Sequence, residues 1–279
     1  MTWYPKSSTK PKQKGTSLIV NRVTPYPEIN KILDLLLSSA SAVLGNQLVG
    51  MYLYGSLSSG DFNPETSDID FLVVTTSSLS DKTIADLESM HHRIWKSGLK
   101  WAAKLEGSYI PKRDIRRHDP RSGPCPTVNE GQFYLDQRGS DWIIQRHVIR
   151  EQGIILAGPP PETLIDPVSP NDIRKAVKGV LQEWWFPMLE NPSWLQRHGV
   201  EYHAFAILTM CRALHSLETG TIVSKPEAAR WAQKELGKEW SQVIDRALAT
   251  RPDTQGFELY DSAIDLIRFT KEQVFHPTT

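Results

Sequence analysis

The sequence predicts an α+β domain, a mixed sheet with helices, followed by an all-helical bundle. Up to residue 157, segments with helical spacing of apolar residues alternate with short apolar runs of strand length. Five prolines (Pro159, Pro160, Pro161, Pro167 and Pro170) then crowd one short stretch, which neither a helix nor a central strand sustains. Beyond it the apolar spacing is almost wholly helical. The expected organisation is a Lys-rich tail over residues 1–17, a first domain over 18–158, a linker over 159–170 and a helical domain over 171–279.

Taken in order, residues 27–48 read as a helix, with Ile29, Ile32, Leu33, Leu36 and Leu37 at helical spacing and Pro27 suited to a first turn. Residues 49–54 read as a strand running into Gly55 and Ser56, residues 57–67 as a polar loop, and residues 68–74 as a second strand. Ser80 is placed to cap a helix from Asp81 through Trp95, and residues 104–110 form a third strand. Residues 111–140 are rich in Pro, Gly and charge and read as surface loop. Residues 141–152 look helical and 154–157 strand-like. The second half predicts helices over 171–186, 201–219, 226–236, 240–250 and 257–274, with Gly220 at a left-handed C-cap and Pro226 opening the third. There is no internal repeat.

Composition bounds the function. The 279 residues are 39% apolar and 23% charged with a mean hydropathy of -0.38, which is a soluble globular composition, too apolar for a disordered chain. No stretch approaches the roughly 18 consecutive apolar residues of a membrane span, and the N-terminus lacks the apolar core of a secretory signal. A cytoplasmic monomer is expected. Cys125 and Cys211 are too few for a disulfide framework or a Cys-rich zinc site and read as a loop thiol and a helical core residue. The formal charge is zero, yet Lys6, Lys10, Lys12 and Lys14 stand in the tail, and without them the chain carries -4. A grip on long nucleic acid needs a basic face, and this balance offers none.

The informative constellation is Tyr54-Gly55-Ser56, a polar loop, then Asp68-Ile69-Asp70. Carboxylates two residues apart on a strand point to one side of the sheet. Acidic residues opening a buried strand call for a counter-charge, and a set of oxygen ligands suits Mg²⁺ with substrate phosphates. Gly55 lets backbone approach a phosphate closely, and Ser56 offers a hydroxyl and an N–H to its oxygens. Glu106, central in the third strand, completes a three-carboxylate face if that strand neighbours the second.

This pattern resembles the signature of the DNA polymerase β-like nucleotidyltransferase superfamily. More narrowly, Leu105-Glu106, the segments from Asp141 to Pro159, and the blocks Leu208 to Arg212, Leu217 to Lys225 and Ala228 to Ala232 resemble the streptomycin/spectinomycin aminoglycoside adenylyltransferases over roughly residues 28–275. The resemblance implies a polymerase β-like nucleotidyltransferase domain in front of the bundle, with ATP and two Mg²⁺ ions in the cleft between them. Asp68, Asp70 and Glu106 would hold metal, Ser56, Ser67 and Gly55 would meet phosphate, and Arg212 and Lys225 would bind the triphosphate from the helical domain. Glu106 would take the proton of the attacking hydroxyl. AMP would pass to a hydroxyl of a small cationic acceptor, spectinomycin-like before streptomycin. Alternatives are another acceptor, such as a protein side chain or a tRNA end, and a non-catalytic nucleotide-binding or antitoxin-like protein.

The sequence also departs from that pattern. The family aromatic after the third strand has Phe133 and Tyr134 as its nearest candidates, and the family acid early in the second bundle helix falls on Tyr202, beside Glu201. A family tyrosine has no counterpart near Arg251. Trp184, Trp185 and Trp194 are candidates to line an acceptor or adenine pocket, while Trp231 and Trp240 read as core. His91, His92, His198 and His203 lack metal-ligand spacing and read as exposed positions, and Ser108 reads as an ordinary strand serine because no nucleophile elbow surrounds it.

Overall fold

Apolar residues three and four apart bury one face of α1 (Pro27–Leu44), through Ile29, Ile32, Leu33, Leu36 and Ala40. In this computed structural model, which describes residues 23–251 and 259–275, the helix stops four residues short of expectation. Gly45 takes φ 50 and starts a 3-10 turn, which a left-handed glycine permits. The Lys-rich tail and the expected start of the last helix at Phe257 lie outside the described residues.

The first unit continues as β1 (Leu48–Leu53), α2 (Gly55–Ser59), β2 (Ile69–Thr75), α3 (Asp81–Trp95), β3 (Leu105–Pro111), α4 (Lys112–Arg116), β4 (Cys125–Asn129), β5 (Gln132–Asp136), α5 (Asp141–Gln152) and β6 (Ile154–Ala157). The sheet order is β5-β4-β3-β2-β1-β6, with β2 and β3 parallel and the other neighbours antiparallel. This is the mixed sheet with helices that the sequence implied. Ser80 caps α3 as read, its hydroxyl accepting from the Thr83 N–H at 3.2 Å.

Residues 111–140 depart from the loop reading, since they hold α4 and the β4–β5 hairpin. The hairpin turns on Glu130 and Gly131 (φ 47 and 73), a dipeptide without the usual Asn-Gly signal. Edge strand β5 is mostly exposed, so it shows no alternation, and Pro126 disguises β4. Cys125 is accordingly a buried strand residue, where a loop thiol was expected.

The two sheet faces have separate cores. Met51, Leu53, Phe71, Val73, Leu105 and Tyr109 pack under α1 and α3. Tyr52, Leu72, Val74 and Ile110 meet Trp142 and Ile149 of α5, together with Leu164 and Ile165 of the Pro-rich segment. That segment is therefore seated on the sheet, and the Tyr52 hydroxyl donates to the Pro159 carbonyl at 2.8 Å. His91 is buried, against the exposed reading. Its Nε2 lies 2.7 Å from the Tyr109 hydroxyl, and burial pushes its pKa down to about 3. Ser108 is a strand residue as read, 3.0 Å from the Thr127 hydroxyl.

The second unit is helical, as expected. It begins with α6 (Pro170–Val180), capped by Ser169, whose hydroxyl accepts from the Asp172 N–H at 3.1 Å. The helix expected over 171–186 changes pitch at a π turn (Leu181–Trp185) and passes into α7 (Pro187–Glu190). A short α8 (Ser193–Arg197), unforeseen in the sequence, leads to α9 (Val200–Thr219). Gly220 closes α9 at φ 71, and α10 (Lys225–Glu235), α11 (Lys238–Ala249) and α12 (Tyr260–Phe275) pack around it. Ile173, Ile207, Met210, Cys211, Ala232, Ile244 and Leu266 form the shared core. His203 is also buried here, its Nε2 donating to the Leu195 carbonyl at 2.9 Å. No helix among the described residues is long and apolar enough to cross a membrane.

Candidate active site

The site is built outward from the end of β1. The Tyr54 N–H donates to the Asp70 carbonyl at 3.1 Å, and Gly55 then turns the chain into α2 at φ 63. The Asp70 carboxylate lies directly against Gly55, so that a Cβ there would collide with its Oδ2. The glycine is required twice, for its conformation and for this approach. Parallel pairing of β2 and β3 sets Asp70 beside Glu106 in register. Asp70 and Glu106 thus share one sheet face, two of the three carboxylates that a neighbouring third strand was expected to bring together.

Asp68 lies on the same cleft wall, near enough for its charge to act on both of them. It precedes β2, whose first residue is Ile69, and its Oδ1 pairs with Lys104 Nζ at 3.1 Å. Burial pushes Asp70 up to about 6, with the Asp68 charge adding to it. Burial likewise pushes Glu106 up to about 7, reinforced by Asp70 and Asp68. Among the described residues no three His, Cys, Asp or Glu side chains gather into a ready-made metal cage. Asp68 is ion-paired with Lys104 while its charge still acts on Asp70 and Glu106. The remaining donors still fit a hard divalent cation, because Mg²⁺ needs only one or two carboxylates and completes its shell with water and phosphate.

A cleft of about 1380 Å³ runs between the two units, lined by Gly55, Ser56, Asp61, Ser67, Asp68, Asp70 and Glu106 on one wall and by Arg212 and Lys225 on the other. The Ser67 hydroxyl accepts from the Asn63 N–H at 3.0 Å, which ties the polar loop back on itself. Burial pushes the Arg212 guanidinium and the Lys225 ammonium down, while Asp61 and Asp70 pull both up. Cations and carboxylates therefore act on one another across the gap.

The acceptor candidates divide. Trp185 and Glu201 line the cleft. Trp184 and Tyr202 do not; Trp184 is 50% exposed on the outside and its indole N–H donates to the Tyr202 hydroxyl at 3.3 Å. Along α9 the cleft face repeats at Glu201, Phe205, Leu208 and Arg212, and Tyr202 is rotated off it by helical geometry. Tyr202 instead stacks on Trp185 at 6.1 Å and meets Trp194 edge-on at 4.7 Å. Trp194 also packs away from the cleft, on His198 at 3.7 Å, while Trp231 and Trp240 lie against the helical core. Phe133 packs on His91 in the sheet core, whereas Tyr134 is 38% exposed and close enough to Glu106 to feel its charge.

Sequence reasoning missed Asp141, Gln145 and Phe205, all in the cleft wall. Gln145 Nε2 donates to Asp141 Oδ2 at 2.7 Å, and burial pushes Asp141 up to about 6. An acid opening a helix reads as an ordinary first-turn residue, so its sequence carries no distinguishing mark.

Comparison with known proteins follows the same two-part division. The nucleotidyltransferase domain family matches residues 37–121, and the aminoglycoside adenylyltransferase C-terminal domain family matches residues 163–271. An aminoglycoside (3'') (9) adenylyltransferase from Klebsiella pneumoniae is 30% identical over 207 residues, 71% of this chain and 75% of that protein. A spectinomycin 9-adenylyltransferase from Staphylococcus aureus is 27% identical over 248 residues, 83% of this chain and 90% of that protein. The crystal structure of a spectinomycin adenyltransferase from Enterococcus faecialis with ATP and spectinomycin shares the fold, with a TM-score of 0.67 at 20% identity, covering 88% of this chain and 98% of that one.

Proposed function

Since the chain belongs to the aminoglycoside adenylyltransferase family of the polymerase β-like nucleotidyltransferases, we propose that it transfers AMP from ATP to a hydroxyl of a small aminoglycoside or aminocyclitol, releasing pyrophosphate. The observation that carries this reading is one cleft with Asp70 and Glu106 paired in register on one wall and Arg212 and Lys225 on the other. Arg212 and Lys225 take the triphosphate and offset the charge of the departing pyrophosphate. Gly55 admits the phosphates close to backbone, and Ser56 and Ser67 present hydroxyls to their oxygens. Asp70 and Glu106, with Asp68 at the approach, would hold Mg²⁺, which polarises the α-phosphate when bound. Glu106 accepts the proton of the acceptor hydroxyl, and an acid near neutrality suits a general base at working pH.

Asp141 and Glu201 receive the cationic groups of the acceptor, with Trp185 as an apolar wall. A spectinomycin-like acceptor is favoured over streptomycin, because the position aligned with the family acid is Tyr202, which points out of the cleft. The decisive experiment follows pyrophosphate release across spectinomycin, streptomycin and other aminoglycosides with ATP and Mg²⁺. Acceptor-dependent release is expected, abolished in Asp70→Asn and lowered about 10²–10⁴-fold in Glu106→Gln with ATP binding retained. Unchanged turnover in Asp70→Asn would sink the reading.

A further inference from the structure

Lys225 occupies an uncomfortable position. It is the first residue of α10, where the helix dipole already places positive charge. Arg212 repels it, and burial strips its hydration. Asp70, Asp61 and Asp68 offset part of this through charge. An aromatic contact adds to them: Lys225 Nζ sits 4.8 Å from the centroid of the Phe205 ring. Phe205 belongs to the cleft face of α9 and is 38% exposed, so its ring face is open to the ammonium. Its ring is held from behind by Trp185 at 5.9 Å and Tyr202 at 5.6 Å. Tyr202 is itself fixed by Trp194 and by the Trp184 N–H, so the support extends through a connected aromatic block.

We propose that Phe205 is a positioning residue for nucleotide capture, its ring face holding the Lys225 ammonium at the cleft before the triphosphate arrives. The inference rests on the reading of Lys225 as a triphosphate ligand. The carboxylates attract the ammonium without fixing its rotamer, so a lysine lacking the ring would have to be ordered again at each binding event. The aromatic block thereby serves the site at one remove, orienting the ring that orients the lysine. Phe205 makes no claim on the reacting atoms, so its effect belongs to nucleotide affinity and leaves the chemical step nearly untouched.

The test is a double-mutant cycle read by Mg-ATP binding at equilibrium and by the KM for ATP against kcat. Phe205→Leu is expected to weaken ATP binding and raise its KM by about 3–10-fold, with kcat within about twofold. Phe205→Tyr, which keeps a ring face, should restore wild-type values. In a Lys225→Ala background, Phe205→Leu should add nothing, because the partner it positions is gone. An equal loss from Phe205→Leu in both backgrounds would show that Phe205 acts on the nucleotide independently and would overturn the inference while leaving Lys225 as a ligand. Undiminished ATP binding in Lys225→Ala alone would remove the premise itself. Where Phe205→Leu fails to fold, Phe205→Met takes its place in the cycle.

Discussion

Asp141 shows at the scale of one residue what its proposed binding role costs in stability. Its place at the start of α5 favours a negative charge, and the Gln145 amide donates to it at 2.7 Å. Burial nevertheless dominates and pushes it up from 3.8 to about 6, with Asp136 and Glu183 adding repulsion. The folded state therefore binds more protons than the unfolded state between those values, and stability falls as pH rises from about 4 to about 6. Asp141→Asn is expected to stabilise the protein by about 1–2 kcal/mol at pH 7.5, after allowance for solvent screening, with the advantage fading by pH 4. The same substitution should raise the KM for a cationic acceptor about tenfold and leave the KM for ATP unmoved. Denaturant titrations at the two pH values and steady-state kinetics check both halves; an unchanged acceptor KM would remove Asp141 from recognition. Asp70 and Glu106 were legible as chemistry because acids in an apolar strand are conspicuous. Asp141 was not, because a helix start explains an acid without a site.

The turn from β1 into α2 does at the scale of elements what no single side chain does. Gly55 holds φ 63 while the Asp70 carboxylate occupies the space a Cβ would need. Gly55→Ala should cost about 2–3 kcal/mol of stability through backbone strain and displacement of Asp70. Turnover should drop by at least about 10²-fold, since misplacement of a reacting group by about an ångström is that expensive. Thermal melts and pyrophosphate release measure the two effects, and a near-native Ala variant would show the approach of Asp70 to be incidental. Other elements were partly legible. The helix expected over 171–186 exists but shifts pitch at the π turn, which brings Glu183 to the N-terminus of α5. There Glu183 accepts from the Ser140 N–H at 3.2 Å and hydroxyl at 2.7 Å, while Trp185 turns to the cleft. A 3.6-residue pattern read along one helix contains no sign of that shift, because the contact that uses it comes from the other unit.

For the molecule as a whole, the proposed functional unit is the gap between a sheet domain and a helical domain, each with its own core. A nucleotide that touches both walls couples them. Mg-ATP at about one hundred times its dissociation constant should stabilise the fold by about 2.7 kcal/mol, a rise in Tm of roughly 5–10 °C. Chelation of the metal with ATP still present should remove most of that shift, since the paired carboxylates would then face phosphate without a counter-charge. Differential scanning fluorimetry with and without chelator is sufficient, and a shift indifferent to chelation would exclude a metal role for Asp70 and Glu106. The zero formal charge leaves a body of -4 once the tail lysines are set aside, yet the relevant electrostatics are local. They reside in opposed clusters on the two walls of one cleft.

The amino-acid sequence alone determined the order of the two units, most helices and central strands, and the identities of the carboxylates and cations that the proposed chemistry uses. Those are local matters: apolar period, caps, prolines and residue type are decided within a few positions of one another. Only the tertiary structure decided the in-register meeting of Asp70 with Glu106, the pairing of Asp68 with Lys104, and which member of the Trp184-Trp185 and Glu201-Tyr202 pairs enters the cleft. These depend on strand pairing and helix rotation, where a displacement of one residue reverses the outcome. The Phe205–Lys225 contact is of the same kind, since it requires two helices to be packed before ring and ammonium meet.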